Sequence, residues 1–476
     1  MARSHPGRQL ARVTASHVWT RRTFLAASAA AGLGWQWRLG QVPSRQGLPH
    51  PSPSQLAWQR DELALFLHFG VNTFTDREWG LGTEDPAIFN PQGLDARQWA
   101  RAARAAEFRA MILTAKHHDG FCLWPTRTTA HSVASSPWRG GAGDVVREFV
   151  DACHAEGLRA GVYLSPWDRN APVYGDSPRY NDFYCDQLTE LLSNYGPISE
   201  VWFDGANGEG PNGRRQEYDW PRFFGLVRKL QPDAVIFSDA GPDVRWCGNE
   251  QGLAGDPNWS TVDPAVVPYP GFSSPFVTAM LQHGKPSGSV WRPAETDVSI
   301  RPGWFYHPAE DDRVRSVDNL MGLYFTSVGR NSKLLLNVPP TPRGLLHRTD
   351  VARLAGFRER RASMFAKDLA EGAQSKMGIT GPQSAELEVT LARPATVAVA
   401  RLEEDIERGQ RVGRYRLFGS DGTRQWMLSS GSTIGYAKLD RFTPITVRSV
   451  RLVLDEGGGE PHLGLRIRLY APPASD

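Results

Sequence analysis

The sequence predicts a (β/α)8-type barrel followed by a smaller C-terminal antiparallel β-sandwich, and three observations lead there. Several apolar runs end abruptly in polar clusters, as buried parallel strands do where they reach the functional rim of a barrel. Those runs alternate with helical stretches up to about residue 340, the rhythm of repeated βα units. After about residue 376 the pattern changes to short segments of alternating polarity separated by turns.

At the N-terminus, Arg21-Arg22 precedes a mild, alanine-rich apolar stretch from Thr23 to Gly34 that looks like a twin-arginine export signal. The stretch is shorter than the ~20 residues that span a bilayer. No cysteine follows it to carry a lipid. The mature protein is therefore expected to be exported, periplasmic or secreted, without a membrane anchor. Residues 1–50 are expected to form the signal and a Pro/Ser/Gly-rich connector ending near Pro49-His50-Pro51-Ser52-Pro53, which cannot hold a regular helix. The catalytic barrel is expected over 51–368, folded from about Leu56, and the sandwich over 376–476.

Within the barrel, the run at Phe66-Leu67 closes on His68-Phe69-Gly70. A helix over 96–107 leads to the run at 110–115, which closes on Lys116-His117-His118-Asp119-Gly120. A helix over 144–156 precedes the strand at 159–164, and a helix over 181–194 precedes the strand at 198–203, which ends in Asp204-Gly205. Helices over 220–230 and 315–327 precede strands at 234–239 and 333–338. Between Trp246 and Trp304, Gly, Pro and Trp dominate and no helix stands out, so this region reads as long rim loops. In the last part, 385–391, 414–418 and 447–454 alternate in polarity and are bounded by turn residues such as Ser420-Asp421-Gly422.

Composition narrows the function. The 476 residues suit one large domain and a smaller one, and 40% hydrophobic with 22% charged residues is ordinary for a globular core. With 54 Lys+Arg against 51 Asp+Glu, no basic stripe is available to track a phosphate backbone, so nucleic acid is not the expected partner. The 16 Trp offer flat apolar faces of the kind that stack on sugar rings, although most must serve packing. Cys122, Cys153, Cys185 and Cys247 show no zinc-like spacing and read as buried free thiols.

The polar strand ends carry the chemistry. Asp204 stands where a strand passes into a loop, and Gly205 lets the backbone turn tightly beside a ligand. A glycosidase needs a second carboxyl, for which Asp239, Glu250 and Glu295 are the candidates at later strand ends. Glu250 follows Trp246-Cys247-Gly248-Asn249, where an apolar wall would favour the protonated form a general acid requires. His68, His117 and His118 could hold a metal, but neighbouring side chains on an extended segment point apart, so hydroxyl recognition is the better use. Glu78-Trp79-Gly80 offers a carboxylate for hydroxyls and a ring for stacking.

These motifs, His68-Phe69-Gly70, Glu78-Trp79-Gly80, Lys116 to Trp124, Tyr163 to Asp168 and Val201 to Gly205, resemble those of the α-L-fucosidases of glycoside hydrolase family 29 over about residues 56–340. The resemblance implies that Asp204 is the nucleophile and that His68, Glu78, Trp79, His117, His118 and Tyr163 bind fucose, with Trp304 and Asp168 as looser matches. Gly248-Asn249-Glu250 looks like the version in the subgroup that cleaves α-1,3/4 links of branched substrates, which makes Glu250 the acid/base and Glu295 the fallback. The implied function is exo-acting, retaining release of terminal fucose from oligosaccharides or glycoconjugates by double displacement, with no metal or organic cofactor expected. The alternatives are a broad-specificity fucosidase that also takes α-1,2 links, a non-catalytic carbohydrate-binding barrel, and a metal-dependent hydrolase built on the histidines.

Overall fold

The computed structural model describes residues 47–457 and 464–472. The expected export segment lies outside the described residues. Among them, no helix is long and apolar enough to cross a membrane.

Eight parallel strands close into a barrel: Leu63–Leu67, Ala110–Lys116, Arg159–Leu164, Glu200–Trp202, Val235–Ser238, Val244–Trp246, Ala294–Ser299 and Ser332–Asn337. They close because each strand is buried on both faces. Outward residues such as Leu65, Leu113, Val162, Val201 and Phe203 pack under the helices, while Phe66, Ile112, Tyr163, Trp202, Phe237 and Leu335 fill the interior. Helices Ala96–Ala105, Val145–Ala155, Ser177–Asn194, Trp220–Leu230 and Val317–Thr326 stand in the expected order. Asp95, Asp144 and Asp219 cap three of them, each carboxylate accepting from an amide three residues on. The first helix, Pro53–Arg60, starts within the proline-rich stretch that was expected to be irregular, because proline fits the first turn and a Ser52/Gln55 capping box closes the end.

The region read as rim loops holds the end of the sixth strand, the whole seventh strand, the helix Pro275–His283 and a small two-stranded antiparallel sheet pairing Thr261–Val262 with Val290–Trp291. No helix separates the fifth and sixth strands. The apolar signal fails because both strands carry buried polar side chains. Arg245 is spent on the carbonyls of Leu281 and Trp259 and on Asn258, while Glu295 and Asp297 are buried in the seventh strand.

Glu295 belongs to the barrel floor, not to its rim. Fully buried, it accepts from the Trp202 indole at 3.0 Å and lies 3.8 Å from Lys333, which also pairs with Glu200 at 3.1 Å. Burial, then the neighbouring Glu200 charge, push the Glu295 carboxyl well above the ordinary range. A leaving-group oxygen cannot reach it, which removes the fallback acid. Lys333 contacts both carboxyls, so Lys333→Met should cost about 3–5 kcal/mol in urea unfolding at pH 7, as removing one partner of a buried ion pair does. A loss below about 1 kcal/mol would show that the carboxyls need no partner.

The C-terminal part is one six-stranded antiparallel sheet. Its two long strands, Ser384–Glu403 and Lys438–Glu456, shift register near their middles. Residues of both halves, Leu387 and Val389 as well as Val397 and Leu402, then share one buried core. The sheet docks on the barrel through Arg401 with Glu62 and through Gln410 with Ser260, and Asn331 bonds the Tyr436 amide. Glu62 and Asn331 precede the first and eighth strands, so this attachment lies at the end of the barrel opposite its functional rim.

Candidate active site

Alternation along the fourth strand turns Glu200, Trp202 and then Asp204 inward, which lifts a carboxylate from the floor level to the C-terminal rim. Asp204 is 8% exposed. Its Oδ1 accepts from the Ala206 amide at 2.8 Å, and its Oδ2 accepts from the Tyr163 hydroxyl at 3.0 Å. Tyr163 comes up the adjacent third strand with its ring against Trp202 and near-parallel to His117. The carboxylate is therefore fixed by two donors before any ligand arrives.

The two adjacent histidines do not diverge. Beyond the second strand the chain turns, with the Gly120 amide bonded to the His117 carbonyl at 3.0 Å, and the rings sit 4.1 Å apart. The extended-segment expectation fails at that turn. Asp119 holds it: its Oδ1 accepts from the Phe121 amide and its Oδ2 from Asn72. Burial pushes the Asp119 carboxyl up to about 7. Gly120 is required here, since at φ +82° a Cβ would strike the Asp168 carboxylate.

Ring tautomers follow from their partners. Ser165 Oγ donates to the Trp167 carbonyl, so it accepts from His118 Nδ1 at 2.7 Å. His118 Nε2 then faces Asp204 Oδ2 at 3.8 Å, beyond hydrogen-bond length. Asn337 donates to Ser299 Oγ and the Trp304 carbonyl, so its Oδ1 accepts from His68 Nδ1 at 2.8 Å. Trp304 and Phe305 pack on His68 at 5.1 and 5.5 Å between centroids. Trp79, 37% exposed, packs on His118 and Trp167. One cluster thus gathers His68, Trp79, His117, His118, Tyr163, Asp204 and Trp304. It offers a fixed carboxylate, imidazole nitrogens and apolar ring faces, the set that suits a sugar ring.

Glu78 is placed differently from a simple hydroxyl ligand. Its carboxylate accepts from the amides of Trp304 and Phe305 at 2.9 and 3.1 Å and from His307 at 2.7 Å. It clamps the loop that carries Trp304. Burial alone would raise the Glu78 carboxyl, but His307 and the two amides hold it below its ordinary value. The bond to Glu78, aided by Asp76, pushes His307 up to about 9 against its burial. A group whose folded value is raised stabilises fully below its unfolded value near 6.5 and loses that contribution as pH rises through about 9. Wild type should therefore lose stability between about pH 6.5 and 9 relative to His307→Gln. Parallel melting curves for the two proteins across that range would refute the coupling.

Asp168 is 1% exposed and paired with Lys116 at 2.9 Å, a buried ion pair and not part of the site lining. Asp239 accepts from the Gly271 amide at 3.1 Å. Glu250, partly exposed, sits four residues beyond the sixth strand, on the same rim as Asp204. Its loop is shaped by Asn249, which bonds the Leu253 carbonyl, and by Trp246, whose indole donates to Asp297 at 2.7 Å. The four cysteines are free and buried. Sequence reasoning missed Ser165, Phe305, His307 and Asn337. Ser165 stood inside a quoted motif; the other three carry no local signal.

Comparison with known proteins gives the family. The α-L-fucosidase family model matches residues 83–359. The chain is 44% identical over 450 residues to α-L-fucosidase 1 of Arabidopsis thaliana, covering 88% of this chain and 87% of the relative. It is similar to the structure of a glycoside hydrolase 29 family member from a rumen bacterium, with TM-score 0.83 and 41% identity over 90% of this chain and 78% of the other. A family 29 fucosidase of Ruminococcus gnavus in complex with fucose gives TM-score 0.80 and 30% identity, covering 90% and 95% of the two chains. The chain belongs to the α-L-fucosidases of glycoside hydrolase family 29 and is a glycoside hydrolase acting on fucosylated glycans.

Proposed function

We propose that the enzyme is an exo-acting, retaining fucosidase that releases terminal α-1,3/4-linked fucose by double displacement. The observation that supports this best is the Asp204 carboxylate, aligned by the Tyr163 hydroxyl and the Ala206 amide inside the ring cluster. Asp204 attacks the anomeric carbon while Glu250 protonates the departing glycosidic oxygen, so one C–O bond forms as the other breaks. Glu250 then takes a proton from water, which attacks the fucosyl-enzyme and frees Asp204. Two such carboxyls stand about 5–5.5 Å apart in retaining enzymes. His68, Trp79, His117, His118 and Trp304 bind the sugar ring. Glu78 holds the Trp304 loop and, on this reading, contributes to fucose binding through it.

The Gly248-Asn249-Glu250 motif supports the α-1,3/4 preference. Fucose release from a branched α-1,3/4-fucosylated oligosaccharide, with little from a linear α-1,2-fucosylated one, is the expected result. Equal release from both would make the enzyme broad in specificity. Export is the further expectation from Arg21-Arg22. In a bacterial host, Arg21→Lys/Arg22→Lys should retain the enzyme in the cytoplasm, and unchanged export would refute that route.

A further inference from the structure

We propose that a groove beside the catalytic rim is a remote subsite for the neutral oligosaccharide that carries the fucosylated residue. This rests on the fucosidase reading and extends it from the released sugar to the rest of the glycan. The groove, about 840 Å³, runs from Gly205 past Tyr218 and Trp220 to Tyr269 and Gly271. It begins one residue after Asp204, so a chain leaving the anomeric centre need not cross the molecule to enter it.

Its outer wall belongs to the long segment between the sixth and seventh strands. That wall is pinned to the rim: the Gly271 amide donates to Asp239, and a Cβ on Gly205 would lie 2.6 Å from the Gly271 nitrogen. The two backbones touch only because both residues are glycine. On this fixed base the segment holds two aromatic side chains in water. Tyr269 is 50% exposed and Phe272 is 37% exposed, with ring centroids 5.4 Å apart. Large apolar rings left exposed as a pair on a braced loop mark a binding surface, and such rings stack on the C–H faces of hexoses.

The charge of the groove points to a neutral occupant. Arg292 lines it, bonded to the carbonyls of Pro242 and Ala240, and its positive charge is matched by the Asp239 carboxylate that holds the lining residue Gly271. Arg215 and Glu217, both exposed, offset one another. No excess of either sign is left to hold an acidic or basic chain.

The test compares wild type with Tyr269→Ala/Phe272→Ala, whose exposed side chains can be removed without opening the core. The substrates are a fucosylated trisaccharide and a fucosylated biantennary glycan. The double variant should lose about tenfold in kcat/KM on the large substrate and less than about twofold on the trisaccharide. Equal losses on both, or none on either, would overturn the subsite. A titration with the defucosylated biantennary glycan gives an independent readout: wild type should bind it more tightly than the variant, and equal binding would overturn the proposal. If wild type released no fucose from either substrate, the hydrolytic reading would fail, and the titration would still decide the groove. A variant with altered oligomeric state and unaltered glycan binding would assign the patch to self-association and overturn it.

Discussion

Asp204→Asn should lower the rate of fucose release by about 10³–10⁵-fold while leaving the melting temperature within a few degrees of wild type. The amide is nearly isosteric, and its carbonyl oxygen can still accept the hydrogen bond that Tyr163 or the Ala206 amide now gives the carboxylate. On the proposed mechanism, what is lost is the charge that attacks the anomeric carbon and balances the oxocarbenium-like transition state. Azide supplied to Asp204→Ala should enter the space left and restore turnover, yielding a fucosyl azide of inverted configuration. A variant that kept more than about a tenth of wild-type activity would remove Asp204 from the nucleophile role.

Glu250→Gln should lose about 10²–10⁴-fold on oligosaccharides, whose leaving groups need a proton, and far less on an activated aryl fucoside. The contrast matters more than the size of the loss. A residue that only shaped the loop, as Asn249 does by bonding the Leu253 carbonyl, would depress both substrates alike. If both substrates fell in parallel, another acid on the rim would have to be sought, and Glu295 would not qualify: it is fully buried beside Lys333 and Glu200.

Much of the barrel was legible because its first five strands and the last have apolar side chains on both faces. Leu63, Leu65 and Leu67 point under the helices, and Ala64 and Phe66 point inward, so the run reads as one buried strand. The seventh strand, Ala294–Ser299, is as deeply buried but buries Glu295, Asp297 and Ser299, whose partners Trp202, Trp246 and Asn337 lie tens of residues away. Periodicity cannot see such compensation. The sixth strand, only three residues long, hides Arg245 in the same way.

The site divides along similar lines. Asp204 was readable from an apolar run ending in Asp-Gly, and His117 and His118 from their place after a strand. That their rings would meet depended on the turn at Gly120, where an extended backbone had been assumed. Glu78 was recognisable as a carboxylate near the site. Its use as a clamp on Trp304, Phe305 and His307 spans more than 220 residues and appears only in three dimensions. Asn337, which sets the His68 tautomer, is likewise silent in the sequence.

A covalent bond from Asp204 to the anomeric carbon can be trapped by incubating the enzyme with a 2-deoxy-2-fluoro-fucosyl fluoride, which slows breakdown of such an intermediate, and mapping the adduct by peptide mass spectrometry. One fucosyl adduct is expected, on Asp204, absent from Asp204→Asn and released by a sugar acceptor. An adduct on another carboxylate, or inactivation-free turnover giving fucose of inverted configuration, would contradict it.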